Sequence, residues 1–370
     1  MQTSTAAPSG GYAFALDAAN FSDGSPWIDG IVNVDSAGGI SGNGSILDVN
    51  WEGFFYGGSQ TIGASTVSAP DAYGRVLFQL NLTSDSALQP LDVAGYVVDA
   101  THIRLIDVGT ANNSYVVQGA AGGVALGQGA NTGQFGAPSV AGSSYVFGAE
   151  GEDRNGTLQI AGVVTFNAGG SVTGMLNWND LSGKSPQAPL QFTGSYTVDP
   201  TGRVTLTDLS DGSSFTYSLH LYLDGNGGGL VLSADTEDVF AGRAFQQQTG
   251  AFTAASLSGS YGLNASVYGV PEDGVPEFAA AVGPITVTPG SGVDEVAGYA
   301  DLGAGAADFA VAGSFTPAAN GVFTGTLSGL GATSASPSNP FTLYLIDNTQ
   351  GVAIETGSAG LTVGRIASSQ

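Results

Sequence analysis

The stretch Phe215-Thr216-Tyr217-Ser218-Leu219-His220-Leu221-Tyr222-Leu223 decides the fold. Its odd positions are all apolar and its even positions mostly polar, the period of a β-strand with two different faces. Upstream, Phe192, Tyr196 and Val198 alternate with Gln191, Thr193, Ser195 and Thr197 in the same way. Turn chemistry separates these segments: Asn167-Ala168-Gly169-Gly170, Asp199-Pro200-Thr201-Gly202, Asp211-Gly212 and Asp224-Gly225-Asn226-Gly227. The spacing predicts eight strands, over 143–150, 157–167, 171–179, 190–198, 203–209, 214–223, 229–235 and 239–247. Every connection is short, so neighbours in sequence should pair antiparallel, and no segment carries a helical stripe.

The same unit recurs. Gly194-Ser195-Tyr196-Thr197 returns as Gly313-Ser314-Phe315-Thr316, 119 residues on. Leu221-Tyr222-Leu223 returns as Leu343-Tyr344-Leu345, and Gly242-Arg243 as Gly364-Arg365, both 122 residues on. An earlier, more diverged copy aligns Gly30-Ile31-Val32 with Gly162-Val163-Val164, Ile46-Leu47-Asp48-Val49-Asn50 with Met175-Leu176-Asn177-Trp178-Asn179, and Gly74-Arg75-Val76 with Gly202-Arg203-Val204. The expected division is an extension over 1–8, repeats over 9–128, 142–247 and 257–370, and Gly/Ala/Ser-rich linkers over 129–141 and 248–256. Eight sequential antiparallel strands remove their open edges most economically by closing into an up-and-down barrel. The fold expectation is therefore all-β: three tandem antiparallel meanders, each a small eight-stranded barrel, with two-sheet sandwiches as the alternative. Alternation alone does not say which face is inside, so an outer-membrane barrel with its apolar face toward lipid is a third reading.

Composition agrees with strands and bounds the function. Only 10% of the 370 residues are charged and 59 are glycine, so Ser, Thr, Asn and Gly solvate the surface. The net charge is −24, with seven cations: Arg75, Arg104, Arg154, Lys184, Arg203, Arg243 and Arg365. Such a field repels nucleic acid and anionic lipid alike, so neither is an expected partner. Cysteine is absent, which suits an exported chain whose cores need no disulfides. The start Met1-Gln2-Thr3-Ser4-Thr5-Ala6-Ala7-Pro8 reads as a mature-type terminus behind an initiator Met. The uncharged run from Val108 to Ala149 is too rich in Gly, Asn, Ser and Gln for a membrane helix.

The middle copy resembles tandem units of secreted proteins of soil bacteria, acidobacteria above all. It does so through Ser144-Tyr145-Val146-Phe147, Thr193-Gly194-Ser195-Tyr196-Thr197-Val198 and Gly202-Arg203-Val204-Thr205-Leu206. Copies one and three depart, with Ser65-Thr66-Val67 in place of Gly-Ser-Tyr and Val322 where the Arg would stand. The resemblance implies export and a β-rich unit, with no established activity and no catalytic residue to carry over.

Chemistry-bearing residues are sparse. His102 and His220 sit in different copies and read as solvent-facing strand histidines rather than a shared metal site. Gly183-Lys184-Ser185 lacks the glycine of a phosphate loop, Trp178 standing in its place, and no G-x-S-x-G elbow exists. Asp235, Glu237 and Asp238 read as turn residues; no cofactor is expected, with a weak Ca²⁺ site on the acidic surface as the alternative. Arg243 and Arg365, at one position in two copies, are expected to pair with a nearby Asp and fix the last strand.

The candidate ligand site is Asp48, Asn50, Asn177 and Asn179, with Trp178 between the second pair. If the intervening residue faces a core, the polar pairs face water; if the polar pairs point inward, they would orient a sugar beside aromatic groups. In the third copy Asp294-Glu295 stands nearby with weaker correspondence. The expected function is a non-enzymatic structural or adhesive rod of three modules, at the cell surface or in an extracellular assembly. Flexible linkers would limit its stiffness, and its partners would be copies of itself or other surface components. The alternative is a small-molecule or glycan binder with one pocket per barrel.

Overall fold

Short Gly/Asp/Asn turns joining alternating strands leave each strand only its sequence neighbours to pair with, and the architecture follows from that. A computed structural model describes the chain except residues 1–3, 20–26, 52–53, 56–59, 84–90, 110–119, 154–155, 181–187, 213–215, 236–237, 270–276, 303–305, 331–337, 358–360 and 369–370. Gly183-Lys184-Ser185, Glu237 and the first two residues of the strand expected at 214–223 lie outside the described residues. Among the described residues no α-helix occurs; only short 3-10 turns interrupt the strands.

The second barrel comprises β11 (Ser144–Asp153), β12 (Gly156–Phe166), β13 (Ser171–Asp180), β14 (Leu190–Val198), β15 (Arg203–Ser210), β16 (Thr216–Leu223), β17 (Gly228–Ser233) and β18 (Asp238–Gln246), in that order around a closed ring. The third closes likewise from β19 (Gly259–Gly269), β20 (Glu277–Thr288), β21 (Asp294–Leu302), β22 (Ala306–Pro317), β23 (Val322–Ser328), β24 (Asn339–Asp347), β25 (Gln350–Glu355) and β26 (Leu361–Ser368). The chain thus forms barrels, not sandwiches.

The first barrel closes less regularly. Its pieces are β1 (Gly10–Ala19), β2 (Trp27–Val34), β3 (Gly39–Ile40), β4 (Ile46–Trp51), β5 (Phe54–Phe55), β6 (Ser65–Val67), β7 (Arg75–Leu80), β8 (Leu91–Asp99), β9 (His102–Asp107) and β10 (Ala120–Gly127). β1 pairs with both β2 and β10, and the ring runs on through β3, β6, β7, β8 and β9. β3 and β4 are two stretches of one third strand, both paired to β2, so eight strand positions encircle this barrel too.

The alternating apolar residues point inward, against the lipid-facing reading. Leu219, Leu221 and Leu223 join Phe147, Phe166, Phe192, Tyr196 and Phe240 in the second interior. Phe166 stacks edge-on between Tyr145 and Tyr196, with centroids 5.7 and 5.0 Å away. Aromatic pairs of this geometry contribute about 0.5–1.5 kcal/mol beyond their buried area. Equivalent clusters fill the first and third barrels.

The linkers are not loose tethers. After β10, the Gln128 amide donates to the Thr201 and Leu223 carbonyls of the next barrel at 2.8 and 2.9 Å. After β18, Gln247 repeats this on Asn320 and Leu345 at 3.1 and 2.7 Å. Phe135 and Phe252 then pack onto the cores of the second and third barrels. Gly202 and Gly321, at φ +105° and +75°, lie beneath each Gln–Phe pair, and a Cβ at either would come within 3 Å of both side chains. Buried backbone acceptors are satisfied this way, so the expected flexibility between modules is replaced by docking.

Candidate functional site: the seams between barrels

Outward-facing strand residues would ordinarily meet water, yet two sectors of outer wall are buried. Ala13, Ala15 and Ile31 of the first barrel pack against Tyr222, Leu230, Leu232 and Ala241 of the second. Val146, Ala161 and Val163 of the second pack against Tyr344, Ile346, Val352, Ile354 and Val363 of the third. Both seams set strands one to three of one barrel against strands six to eight of the next. Across the second seam Gly148 faces Val352, where a Cβ would stand 2.7 Å from Cγ1. Only glycine lets the walls approach this far.

Each seam is crossed by the polar pairs singled out in the sequence. Val49 and Trp178 face their own barrels' interiors, Val49 in the first core and Trp178 partly buried against the second. The alternation of β4 and β13 therefore turns Asp48, Asn50, Asn177 and Asn179 outward, where all four are buried under the next barrel. They face neither water nor a lumen, which corrects both readings of these residues.

In the first seam Tyr222 Oη donates to Asp48 Oδ2 at 2.6 Å. Arg203 donates to both Asp48 oxygens at 3.0 and 2.9 Å, and His220 Nδ1 lies 3.1 Å from Oδ2. Asn50 Nδ2 donates to the Ser233 carbonyl and hydroxyl at 3.0 and 2.8 Å. In the second seam Tyr344 Oη donates to Asn177 Oδ1 at 2.7 Å, and Asn179 Nδ2 to the carbonyls of Glu355 and Gly357 at 3.0 and 3.1 Å. The two locks are one device used twice, with the charged Asp48–Arg203 version replaced by neutral Asn177 beside Val322. His220 is thus a buried seam residue rather than a solvent-facing one, while His102 is exposed.

The electrostatics follow the burial. Burial raises the Asp48 carboxyl, but the His220 hydrogen bond and charge, the Arg203 charge and the Tyr222 hydrogen bond outweigh it and hold the group below the usual carboxylate range. Asp29, paired across strands with Asp48, goes the other way. Its full burial, then the charges of Asp17 and Asp48, push it well above the usual range. Neither Asp29 oxygen finds a partner among the described residues, which fits a neutral acid. In the second seam burial lifts Glu355 to about 7, against the opposing hydrogen bond from Thr362.

The seams occupy adjoining sectors of the second barrel, since β11 pairs with β18. The row of barrels therefore bends, and a groove opens on its inner side. Asp17 and Trp27 from the first barrel, Glu150, Arg243 and Phe245 from the second, and Asn264 and Arg365 from the third line it. The Arg243 and Arg365 guanidinium carbons stand 5.7 and 4.5 Å from the Phe245 ring centroid, and Arg365 donates to Gln350. Among the described residues no direct Arg–Asp contact forms on the last strand: Asp224 and Asp347 attract Arg243 and Arg365 only at longer range, and both cations share one aromatic ring. By contrast, among the described residues the voids within the three barrels are small and walled mainly by aliphatic and phenylalanine side chains.

Sequence reasoning selected Asp48, Asn50, Asn177 and Asn179 and missed their partners. Tyr222 and Tyr344 were legible as a recurring polar-edged aromatic at an outward position, 122 residues apart. In the third copy the register places Asp301 at the Asn177 position, not Asp294-Glu295: Val282 pairs with Asp301 as Ala161 pairs with Asn177 and Asp29 with Asp48.

No protein-family model and no curated protein matches the chain. Among solved structures, the chain is similar to a protein with unknown function from the DUF3598 family of Nostoc punctiforme, at 13% identity over 61% of this chain and 95% of that one, with a TM-score of 0.21.

Proposed function

We propose that this chain is a non-enzymatic structural or adhesive protein acting outside the cell, at the surface or in an extracellular assembly. One observation carries the reading: the buried polar side chains of its outer walls, Asp48, Asn50, Asn177 and Asn179, join barrel to barrel. Truncating one member costs about 3–5 kcal/mol for the buried Asp48–Arg203 ion pair and about 1–3 kcal/mol for each neutral asparagine hydrogen bond, so these residues secure a fixed relative placement of modules. A stiff, bent three-barrel unit gives reach and a defined surface. Solution scattering tests this: a profile matching one rigid, bent unit is expected, and one requiring independently moving beads rejects the reading.

A second reading is favoured by the inner groove. Phe245 and Trp27 offer apolar faces beside Arg243, Arg365, Glu150 and Asn264, a combination that fits a polar ligand such as an acidic glycan. Calorimetric titration with acidic oligosaccharides separates the two: saturable heat abolished by Arg243→Ala with Arg365→Ala favours the binder, and no heat removes it.

A further inference from the structure

Two outer faces, one on the third barrel and one on the first, match the two halves of the device that joins the barrels. The third barrel presents the joining face. There Val282, Tyr299 and Asp301 occupy the positions that Ala161, Met175 and Asn177 hold in the second seam. The first barrel presents the receiving face. Arg75 pairs with Tyr96 across strands as Arg203 pairs with Tyr222 and Val322 with Tyr344. Arg104 and Ile106 likewise stand where Leu230 and Leu232 do in the second barrel.

Exposure marks both faces. Tyr96 and Ile106 are 42% and 45% exposed, whereas Tyr222, Tyr344, Leu232 and Ile354 are fully buried in the seams. On the other end Val282 and Tyr299 are 54% and 58% exposed, against a fully buried Ala161. These four account for most of the exposed large hydrophobic side chains among the described residues. Arg75, Arg104 and Asp301 are also exposed.

We infer that the third barrel of one copy docks onto the first barrel of another, with Asp301 set against Arg75 and Tyr96 as Asp48 is set against Arg203 and Tyr222. The inference rests on the reading that the seams hold the modules in place. The chemistry commits the partner to a second copy of this chain. The face that lacks a positive charge, around Val322, meets the neutral Asn177, whereas both faces carrying an arginine at that position, Arg203 and Arg75, are matched by an aspartate, Asp48 and Asp301. Two of the chain's seven cations, Arg75 and Arg104, stand on the receiving face. With a net charge of −24, copies repel at long range, so docking needs enough salt to screen the bulk charge while the local pair stays close. The contact is heterologous, so copies add head to tail and continue the bend of the seams as a ring or an open spiral.

Sedimentation velocity of the full chain, from micromolar to near-millimolar concentration at physiological salt, tests this. The wild type should form a concentration-dependent series of species. Arg75→Asp and Asp301→Arg alone each set like charges together and should raise the half-assembly concentration about a hundredfold. Mixing the two variants should restore assembly with strictly alternating copies, because each then offers the other a matched pair. A wild type that stays monomeric throughout, or variants that assemble like the wild type, overturns the inference. Scattering from the monomer reports separately on the internal seams: rigid monomers that fail to assemble reject only the docking, whereas loosely strung barrels reject the reading beneath it.

Discussion

The Tyr222 hydroxyl donates to the Asp48 carboxylate at 2.6 Å across the first seam, between residues 174 apart in sequence and on different barrels. Its counterpart, Tyr344 to Asn177 at 2.7 Å, joins the second barrel to the third. Closed barrels have no free edges to pair, so modules of this kind join through side chains on their walls.

Asp48→Ala leaves Arg203 and His220 facing a buried gap. The expected loss is about 3–5 kcal/mol of the first barrel's attachment and stability, read by urea denaturation. Asp48→Asn with Arg203→Val reproduces the neutral chemistry of Asn177 and Val322. It should lose less than the sum of its single changes, with a coupling of about 1–3 kcal/mol in a double-mutant cycle.

Gln128→Ala and Gln247→Ala each strip the donor from two carbonyls of the following barrel. About 1–3 kcal/mol of local stability should go with each. Limited proteolysis is expected to cut first within 129–141 or 248–256 respectively, where the wild type resists.

Gly148→Leu tests wall-to-wall contact without touching a polar group. Val352 leaves no room for the added carbons, so the second and third barrels should separate while each keeps its own fold. Scattering should show a larger radius of gyration with an unchanged far-ultraviolet circular dichroism spectrum.

Acidity should stabilise the seams. Glu355 is lifted from its ordinary 4.5 to about 7, so below about 4.5 both folded and unfolded chains hold its proton. As pH rises through that window the unfolded chain ionises first, and stability falls by up to roughly 3 kcal/mol before levelling off. Asp29 acts in the same direction. Asp48, held low, contributes above its ordinary 3.8 and is lost as pH falls beneath it. Melting temperature should therefore peak at about pH 4–5, and Glu355→Gln should flatten the decline above the peak.

Strand positions, barrel closure and the three-fold repeat were legible because alternation and turn residues act locally. In the second barrel the expected and observed strands differ by only a few residues at their ends. The seams were not legible, for a physical reason. His220 and Tyr222 look like solvent-facing positions because burial by a neighbouring barrel leaves no periodic trace on the strand it covers. Asp48, Asn50, Asn177 and Asn179 stood out by recurrence, but recurrence alone does not say whether a polar pair faces a ligand, water or another wall. Gln128 and Gln247 hide in linkers whose small-residue composition reads as loose chain, although two amide hydrogen bonds and one docked ring, buried at Phe135 and partly buried at Phe252, fix each of them.

Spin-label distances between the outer barrels test the central claim of a fixed three-barrel body most directly, because the cysteine-free chain takes labels only where they are introduced. With Tyr73→Cys on the first barrel and Val293→Cys on the third, both exposed, a single narrow distance distribution is expected. It should broaden when Asp48→Ala and Asn179→Ala are added. A broad distribution in the chain that retains both seams would contradict the account.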